Sequence, residues 1–474
     1  MMHHARFVCF GVVLIGMPAW SACDGGAPAS DSGDGGTDDA ADSDVRDAFE
    51  TDDGVFRETI VMPPVCGDRV VDPGEGCDDG NRLNGDECDW LCRPGPGSFE
   101  YPGLDPDVPA ITDTGPHVVV VGLAERPVRE RLAWGPGVYG LAYVIRTPYL
   151  AVRFRVLDIE GRTVAGPWTR PVAFGEPAVG LAWNGADFAV FWQELRISIL
   201  KLARLDPAAV LVAERNVRRL PAGIEWFFLE EMIWNAGRYF LTSLASPSAP
   251  AGPDALLEAV GPDGDLLPLS AWLGSPYGLG TLLAVDDGVA AVRGRYAFIF
   301  DRNLELLRWS GFIADSSVPP VPCASDVVAT EEGFLVFSAM FMAYDQPMDL
   351  WVSGFDLAGT MVMPPRMILP DFISETSESW LRGAYGPAGA AVAYGVPDHD
   401  TGEYEIRIVN TDRWGNIRSG PAAVLDVDVG VATGTAPFQL VADDSGYAVL
   451  AAISFRGGNG GGRNLIFRRY VPAR

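Results

Sequence analysis

The stretch Leu181–Trp192, LAWNGADFAVFW, consists of two short apolar runs joined by an Asn-Gly turn. Apolar runs of this length on either side of Asn-Gly are typical of a β-hairpin. The pattern occurs seven times, at intervals of 45 to 57 residues. The first run of the successive copies ends at Trp134, Trp183, Trp234, Val285, Thr330, Tyr385 and Ala442.

Each copy is followed by a second pair of strand-like runs. In Val152–Leu157, apolar residues alternate with Arg153 and Arg155, which is the period of a strand with one buried face. Turns of the form Asp-x-x-Gly begin at Asp158, Asp356 and Asp412, and this composition suits a type I turn. We expect almost no helix.

Four short strands in a repeat of about 50 residues are typical of a β-propeller blade. We therefore predict an all-β fold with a seven-bladed β-propeller over residues 117–474, with six or eight blades as the alternatives. The last copy ends with a third strand, Leu465–Tyr470, and would leave an open sheet edge. The apolar run His117–Leu123 precedes the first copy, and we predict that it closes the ring as the fourth strand of the last blade.

The N-terminus, residues 1–22, has the pattern of a signal peptide: Arg6, an apolar segment over Phe7–Met17, and Pro18. The sequence Trp20-Ser21-Ala22-Cys23 that follows resembles the lipobox of bacterial lipoproteins, except that Trp20 stands where the family has an aliphatic residue. The resemblance implies that Cys23 is acylated in the inner or the outer membrane. The alternative is cleavage after Ser21, which would release a secreted protein.

Residues 23–60 are predicted to be a disordered acidic linker. Asp24–Gly54 carries eleven acidic residues and one basic residue, Arg46, and such a tract repels itself and has few apolar residues to bury. The formal net charge of the chain is -28. A surface of this charge argues against nucleic acid or an anionic membrane surface as a partner.

Residues 61–95 contain four cysteines, Cys66, Cys77, Cys88 and Cys92. The stretch 66–92, CGDRVVDPGEGCDDGNRLNGDECDWLC, closely resembles the Myxococcus cysteine-rich repeat, a module of exported bacterial proteins. A segment this small needs crosslinks, so we expect two disulfides, with three pairings open. A four-cysteine zinc site is the alternative, which export disfavours.

The same module contains closely spaced oxygen donors, namely Asp78, Asp79, Asn81 and Asp86. These residues are a candidate calcium site, since calcium binds six to eight oxygens. The alternative is that they cap turns through their own backbone, and no other cofactor is expected.

Residues 96–116 are rich in Pro and Gly and are predicted to be a linker.

The sequence offers little material for catalysis. Beyond the signal segment, His117 and His399 are the only histidines, and no nucleophile elbow, zinc helix or phosphate loop occurs. We therefore expect a non-enzymatic binding module of the cell envelope, whose partner is a protein or a glycan and whose only membrane contact is the lipid anchor. One alternative is a hydrolase or lyase acting on carbohydrate through channel carboxylates, although the predicted inner strands carry few acids. The other is a structural envelope protein without a specific ligand.

The loops between second and third strands vary most in length, and variable loops on a rigid scaffold commonly carry recognition. We expect the binding surface on that face of the propeller. The candidate binding residues in these loops are Arg146, Tyr149, Asp398, His399 and Asp400.

Overall fold

The computed structural model describes residues 105–473, apart from 116–117, 147–148, 173–176, 195–198, 220–223, 248–253, 273–280, 286, 294–295, 312–320, 342–347, 358–360, 374–380, 399–402, 428–437 and 455–462. The signal peptide, the acidic linker and the cysteine-rich module lie outside the described residues. The predicted sites that lie outside them with these segments are Cys23, Cys66, Cys77, Asp78, Asp79, Asn81, Asp86, Cys88 and Cys92.

The described residues form seven antiparallel sheets, which we number as blades. The chain begins with β1 (Ile111–Asp113), β2 (Val118–Val121) and a short 3-10 helix (Leu123–Glu125). Blade one consists of β3 (Pro127–Gly135), β4 (Val138–Ile145), β5 (Ala151–Leu157) and β6 (Thr163–Pro171). Blade two consists of β7 (Val179–Trp183), β8 (Phe188–Glu194), β9 (Ile199–Leu205) and β10 (Leu211–Arg219). Blade three consists of β11 (Ile224–Asn235), β12 (Arg238–Pro247), β13 (Asp254–Val260) and β14 (Leu266–Trp272).

The remaining blades repeat this order. Blade four consists of β15 (Thr281–Val285), β16 (Gly288–Arg293), β17 (Tyr296–Phe300) and β18 (Leu306–Gly311). Blade five consists of β19 (Val321–Ala329), β20 (Gly333–Phe341), β21 (Met348–Asp356) and β22 (Met361–Ile373). Blade six consists of β23 (Leu381–Gly386), β24 (Gly389–Asp398), β25 (Glu403–Thr411) and β26 (Ile417–Val427). Blade seven contains β27 (Phe438–Asp443), β28 (Gly446–Ser454) and β29 (Arg463–Pro472).

The blades form a closed ring around a central channel. In each blade the first strand is innermost, and these strands contact one another in the order β3, β7, β11, β15, β19, β23, β27 and back to β3. The prediction of an all-β, seven-bladed propeller is therefore confirmed. We call the side with the hairpins between first and second and between third and fourth strands the turn face, and the opposite side the loop face.

The ring closes through the two ends of the propeller, as predicted. Strand β2 pairs antiparallel with β29, with Val118 opposite Phe467. A second segment, β1, pairs with the other end of the same β29 edge, with Ile111 opposite Pro472. The outer strand of blade seven thus has two pieces, and its first piece lies in the stretch that the sequence analysis assigned to the linker.

The segment before β1 lies against blade six at the turn face. The backbone N–H of Asp105 donates to Asp412 Oδ2 at 3.0 Å, and Asn410 Nδ2 donates to the Pro109 carbonyl at 3.0 Å. Asp412 lies in the turn between β25 and β26, so the chain enters the propeller at the turn face.

The core lies between the blades. The cluster between blades one and two joins Phe154 and Val156 to Phe188 and Trp192, all fully buried. Second strands are buried on both faces because a neighbouring blade covers each side, so β8 is one continuous apolar run up to Trp192. Burial of each such side chain contributes roughly 1.5–3 kcal/mol.

The turn between third and fourth strands has a repeated structure. Oδ1 of Asp158 accepts the N–H groups of Glu160 at 3.0 Å and Arg162 at 2.8 Å, and Asp206, Asp301 and Asp412 accept the equivalent pairs. Gly161 takes the fourth position with a φ of 81°. The predicted Asp-x-x-Gly turns at Asp158 and Asp412 are confirmed, whereas part of the turn at Asp356 lies outside the described residues.

The contact between blades seven and one includes a buried hydrogen-bond network. The Tyr139 hydroxyl donates to Asp443 Oδ2, and Arg469 donates to both oxygens of Asp443 at 3.1 Å. Burial alone would raise the pKa of Asp443, but the hydrogen bonds from Arg469 and Tyr139 hold it below its usual range. Burial and the Asp443 bond raise the pKa of Tyr139.

We predict that Tyr139→Phe lowers the free energy of unfolding by about 1–2 kcal/mol at neutral pH, because Asp443 loses a donor. Since the pKa of Asp443 is depressed in the folded state, its contribution is complete above the ordinary aspartic acid range and is lost as the pH falls through the folded value. The difference between wild type and variant should therefore shrink in acid. Urea unfolding as a function of pH measures it.

The matched control is Tyr149→Phe, since the Tyr149 side chain is 48% exposed. This control should leave the unfolding midpoint unchanged. Equal losses in both variants, or a pH-independent loss in Tyr139→Phe, would contradict the role of the Asp443 network.

Candidate functional site

One layer of the channel is polar. The first strand of every blade has one residue at the same position in its pairing with the second strand. In blade one this residue is Arg131, which pairs with Ala142, and in blade three it is Glu231, which pairs with Thr242. These seven equivalent positions form what we call the channel ring. Its members in blade order are Arg131, Gly180, Glu231, Thr281, Asp326, Arg382 and Gln439.

The charges of the channel ring are segregated. Arg382, Gln439 and Arg131 come from the consecutive blades six, seven and one and form a cationic arc. Glu231, Thr281 and Asp326 come from blades three, four and five and form an acidic arc. The residues that carry the two guanidinium groups and those that carry the two carboxyl groups therefore come from different halves of the ring.

Arg131 spans the channel from blade one to blade three. Its Nη2 donates to the Glu230 carbonyl at 2.8 Å, and its Nη1 donates to the Glu130 carbonyl at 3.0 Å. Blade two contributes only Gly180 to this layer, and Leu229 and Met232 of blade three pack against it, at 3.1 and 3.4 Å from where a Cβ would lie. The two carbonyl bonds fix the Arg131 guanidinium between blades one and three.

A β-bulge precedes the charged ring residue in both blade one and blade three. The ladder of β3 shifts between Val128 and Arg131, and that of β11 shifts between Leu229 and Glu231. An extra residue in one strand changes the direction in which the following side chains point. The bulges therefore bring Arg131 and Glu231 to equivalent heights although the strands differ in sequence.

Asp326 is the most buried carboxyl group of the ring, at 3% exposure. Its Oδ1 accepts the N–H of Val327 at 3.0 Å and its Oδ2 accepts the N–H of Gly383 at 2.6 Å. Burial raises the pKa of Asp326, while Arg382 and the Thr281 hydroxyl lower it in part. Because both oxygens bond to backbone of blades five and six, Asp326 ties these blades together.

Glu231 has the carboxyl group that the scaffold engages less. Burial raises its pKa, and the nearby Arg131 and Arg382 offset that effect only in part. Glu231 is half-buried, as are Arg131, Thr281, Arg382 and Gln439, so these side chains are accessible within the channel. The expectation that the inner strands carry few acids missed Glu231 and Asp326.

The predicted binding residues lie at the loop face. Arg146 and Tyr149 lie in the loop between β4 and β5 of blade one, where both are exposed. Asp398 ends β24 of blade six, and His399 and Asp400 lie outside the described residues. Blade seven separates the two groups, and the structure does not show them in one site.

The described part of the chain contains no group of three or more His, Cys, Asp or Glu residues arranged to hold a metal ion. The same residues include no helix long and apolar enough to cross a bilayer.

No protein-family model matches the chain, and no curated protein matches it. Solved propeller structures do resemble it. The WD40 domain of Toxoplasma gondii coronin has a TM-score of 0.47 and 12% identity, covering 79% of this chain and 88% of that one. The β-propeller domain of the Trilobed protease from Pyrococcus furiosus has a TM-score of 0.43 and 8% identity, covering 73% and 94%. A protein of unknown function from Dyadobacter fermentans has a TM-score of 0.45 and 11% identity, covering 77% and 100%.

A buried ion pair lies outside the channel, between blades two and three. Arg218 Nη2 lies 2.7 Å from Glu258 Oε2, and both side chains are almost fully buried. Burial raises the pKa of Glu258 and lowers that of Arg218, and each partner partly reverses the effect on the other. This pair is directly bonded, unlike the spread charges of the channel ring, and it has a structural role.

We predict that Glu258→Leu lowers the free energy of unfolding by about 3–5 kcal/mol, because it leaves Arg218 charged and buried. The double variant Arg218→Met/Glu258→Leu should recover most of that loss, since apolar side chains of similar volume replace both charges. Urea unfolding midpoints measure both effects.

The control is Arg302→Gln, which breaks an exposed pair with Asp287 of 2.6 Å. Its cost should stay below about 1 kcal/mol. A double variant as unstable as Glu258→Leu would show that packing, and not the unpaired charge, causes the loss.

Proposed function

We propose that this protein is an exported binding module of the cell envelope, anchored through Cys23, whose propeller recognises a protein or glycan partner at its loop face. The β-propeller fold itself supports a binding or interaction role in general. The finer assignment depends on one observation: the chain enters the propeller at the turn face, where Asp105 bonds to Asp412. The described part of the chain therefore begins at the turn face, on the side opposite to the loops.

A non-enzymatic role is part of the proposal. A glycosidase needs two carboxyl groups free to act as acid and as base or nucleophile. In the channel, both Asp326 oxygens accept backbone N–H groups of the scaffold. Glu231 then lacks a second free carboxyl partner within the channel ring, which supports binding over hydrolysis.

We predict that the double variant Arg146→Ala/Tyr149→Ala loses an envelope component that the wild-type protein retains. These two exposed side chains supply a cation and an aromatic ring at the loop face, and such residues often dominate binding energy. Immobilised protein is incubated with envelope extract, and the eluted material is compared by quantitative mass spectrometry.

The control is Arg238→Ala/Arg302→Ala, which removes the half-buried Arg238 side chain and the exposed Arg302 side chain at the turn face. It should retain the component. A component lost equally in both variants, or no component specific to the wild type, would contradict recognition at the loop face.

For the anchor, we expect mass spectrometry of the mature protein to find an N-terminal peptide that begins at an acylated Cys23. The variant Cys23→Ser should move the protein from the membrane fraction to the soluble fraction, because the anchor supplies the membrane affinity. A mature chain that begins at Ala22 without lipid would contradict anchoring and leave secretion as the outcome.

A further inference from the structure

The channel ring has the chemistry of a ligand site that is separate from the loop face. Its cationic arc, Arg382, Gln439 and Arg131, presents donors that suit a carboxylate. Its acidic arc presents the Glu231 carboxyl group, which suits a cation. The two arcs lie on opposite sides of one channel, and their formal charges balance.

Glu231 is half-buried and lies near both arginines of the ring. Burial raises its pKa and the two arginines lower it, so a cation beside Glu231 would further favour its ionised form. Arg131 and Arg382 also direct hydrogen bonds to the carbonyls of Glu230 and Leu381, at 2.8 and 2.7 Å, and are held in place by them. A fixed guanidinium next to an accessible carboxyl group is preorganised for binding.

We propose that the channel ring binds a small zwitterion that carries a carboxylate and an ammonium group, as a free α-amino acid does. The carboxylate lies on Arg382, Gln439 and Arg131, and the ammonium group lies on Glu231.

A zwitterion fits better than an ion of one sign. A lone anion or cation would add an unbalanced charge to a partly desolvated layer whose charges already cancel, and such burial is costly. A zwitterion adds no net charge and places each of its charges opposite a complementary arc. The ligand class follows from this balance.

The neighbouring layer indicates the side chain that such a ligand carries. Successive residues of a strand alternate in direction, so the positions two residues towards the turn face share the side of the channel ring. All seven are aliphatic, namely Ala133, Ala182, Ile233, Leu283, Val328, Ala384 and Val441. Six of the seven pack in the apolar clusters between blades, so this layer offers a charged ligand side chain no partner and would desolvate it. The ligand therefore carries a small uncharged side chain.

The test is isothermal titration calorimetry of the purified full chain with L-alanine at pH 7 and low salt. The two halves of the probe, propanoate and ethylammonium, and the charged L-glutamate are titrated in parallel. We expect L-alanine to bind, and each half and L-glutamate to bind at least about tenfold more weakly, since each loses a charged hydrogen bond or desolvates a charge.

The variants Arg382→Gln and Glu231→Gln should each weaken L-alanine binding by about tenfold or more, whereas Arg302→Gln at the turn face should not change it. If the first two fail to fold, Gln439→Glu adds a carboxyl group to the cationic arc and should also weaken binding. Arg146→Ala/Tyr149→Ala should bind L-alanine normally, so that failure of the loop-face proposal is distinguishable.

The proposal is overturned if wild-type protein gives no binding heat with L-alanine. It is equally overturned if propanoate or ethylammonium alone binds as tightly, or if the channel variants and Arg302→Gln behave alike.

Discussion

The structure depends on the antiparallel pairing of β29 with β1 and β2. Seven blades pack side by side, and this pairing fastens the two ends of the row into a ring, because it joins residues 111–113 and 118–121 to residues 465–472. The Tyr139, Asp443 and Arg469 network reinforces the same seam between blades seven and one. A closed ring fixes the spacing of the innermost strands, and every property of the channel follows from that spacing.

The channel ring illustrates this dependence. Arg131 reaches the Glu230 carbonyl because the closed ring holds blades one and three on either side of blade two. Asp326 accepts a hydrogen bond from the Gly383 N–H and so holds blade six. The same carboxyl group, whose pKa burial raises, thus also stabilises the scaffold. Positioning and binding capacity thus come from the same few side chains.

The sequence predicted the blades because their hairpins carry local signals, such as Asn184-Gly185 between two apolar runs. It did not reveal β1, whose three residues become a strand only by pairing with the distant β29. Ala209 and Leu304 take the left-handed position that Gly161 takes in blade one, and an Asp side chain stabilises each of these turns. Glu231 and Asp326 share one layer only because of strand register, which the sequence does not reveal. For Arg131 and Glu231 a local signal existed, since each precedes a tryptophan by three residues.

The seam between β29 and the first strands also constrains how the protein can be made. Its partners are separated by some 350 positions in the chain, as the pairing of Val118 with Phe467 shows. Folding that depends on such distant contacts is slow. During synthesis the first blades are made before β29 is available, so one side of blade one is still uncovered. The ring can close only after β29 has emerged from the ribosome, so a chain truncated before β29 would stay open and prone to aggregation.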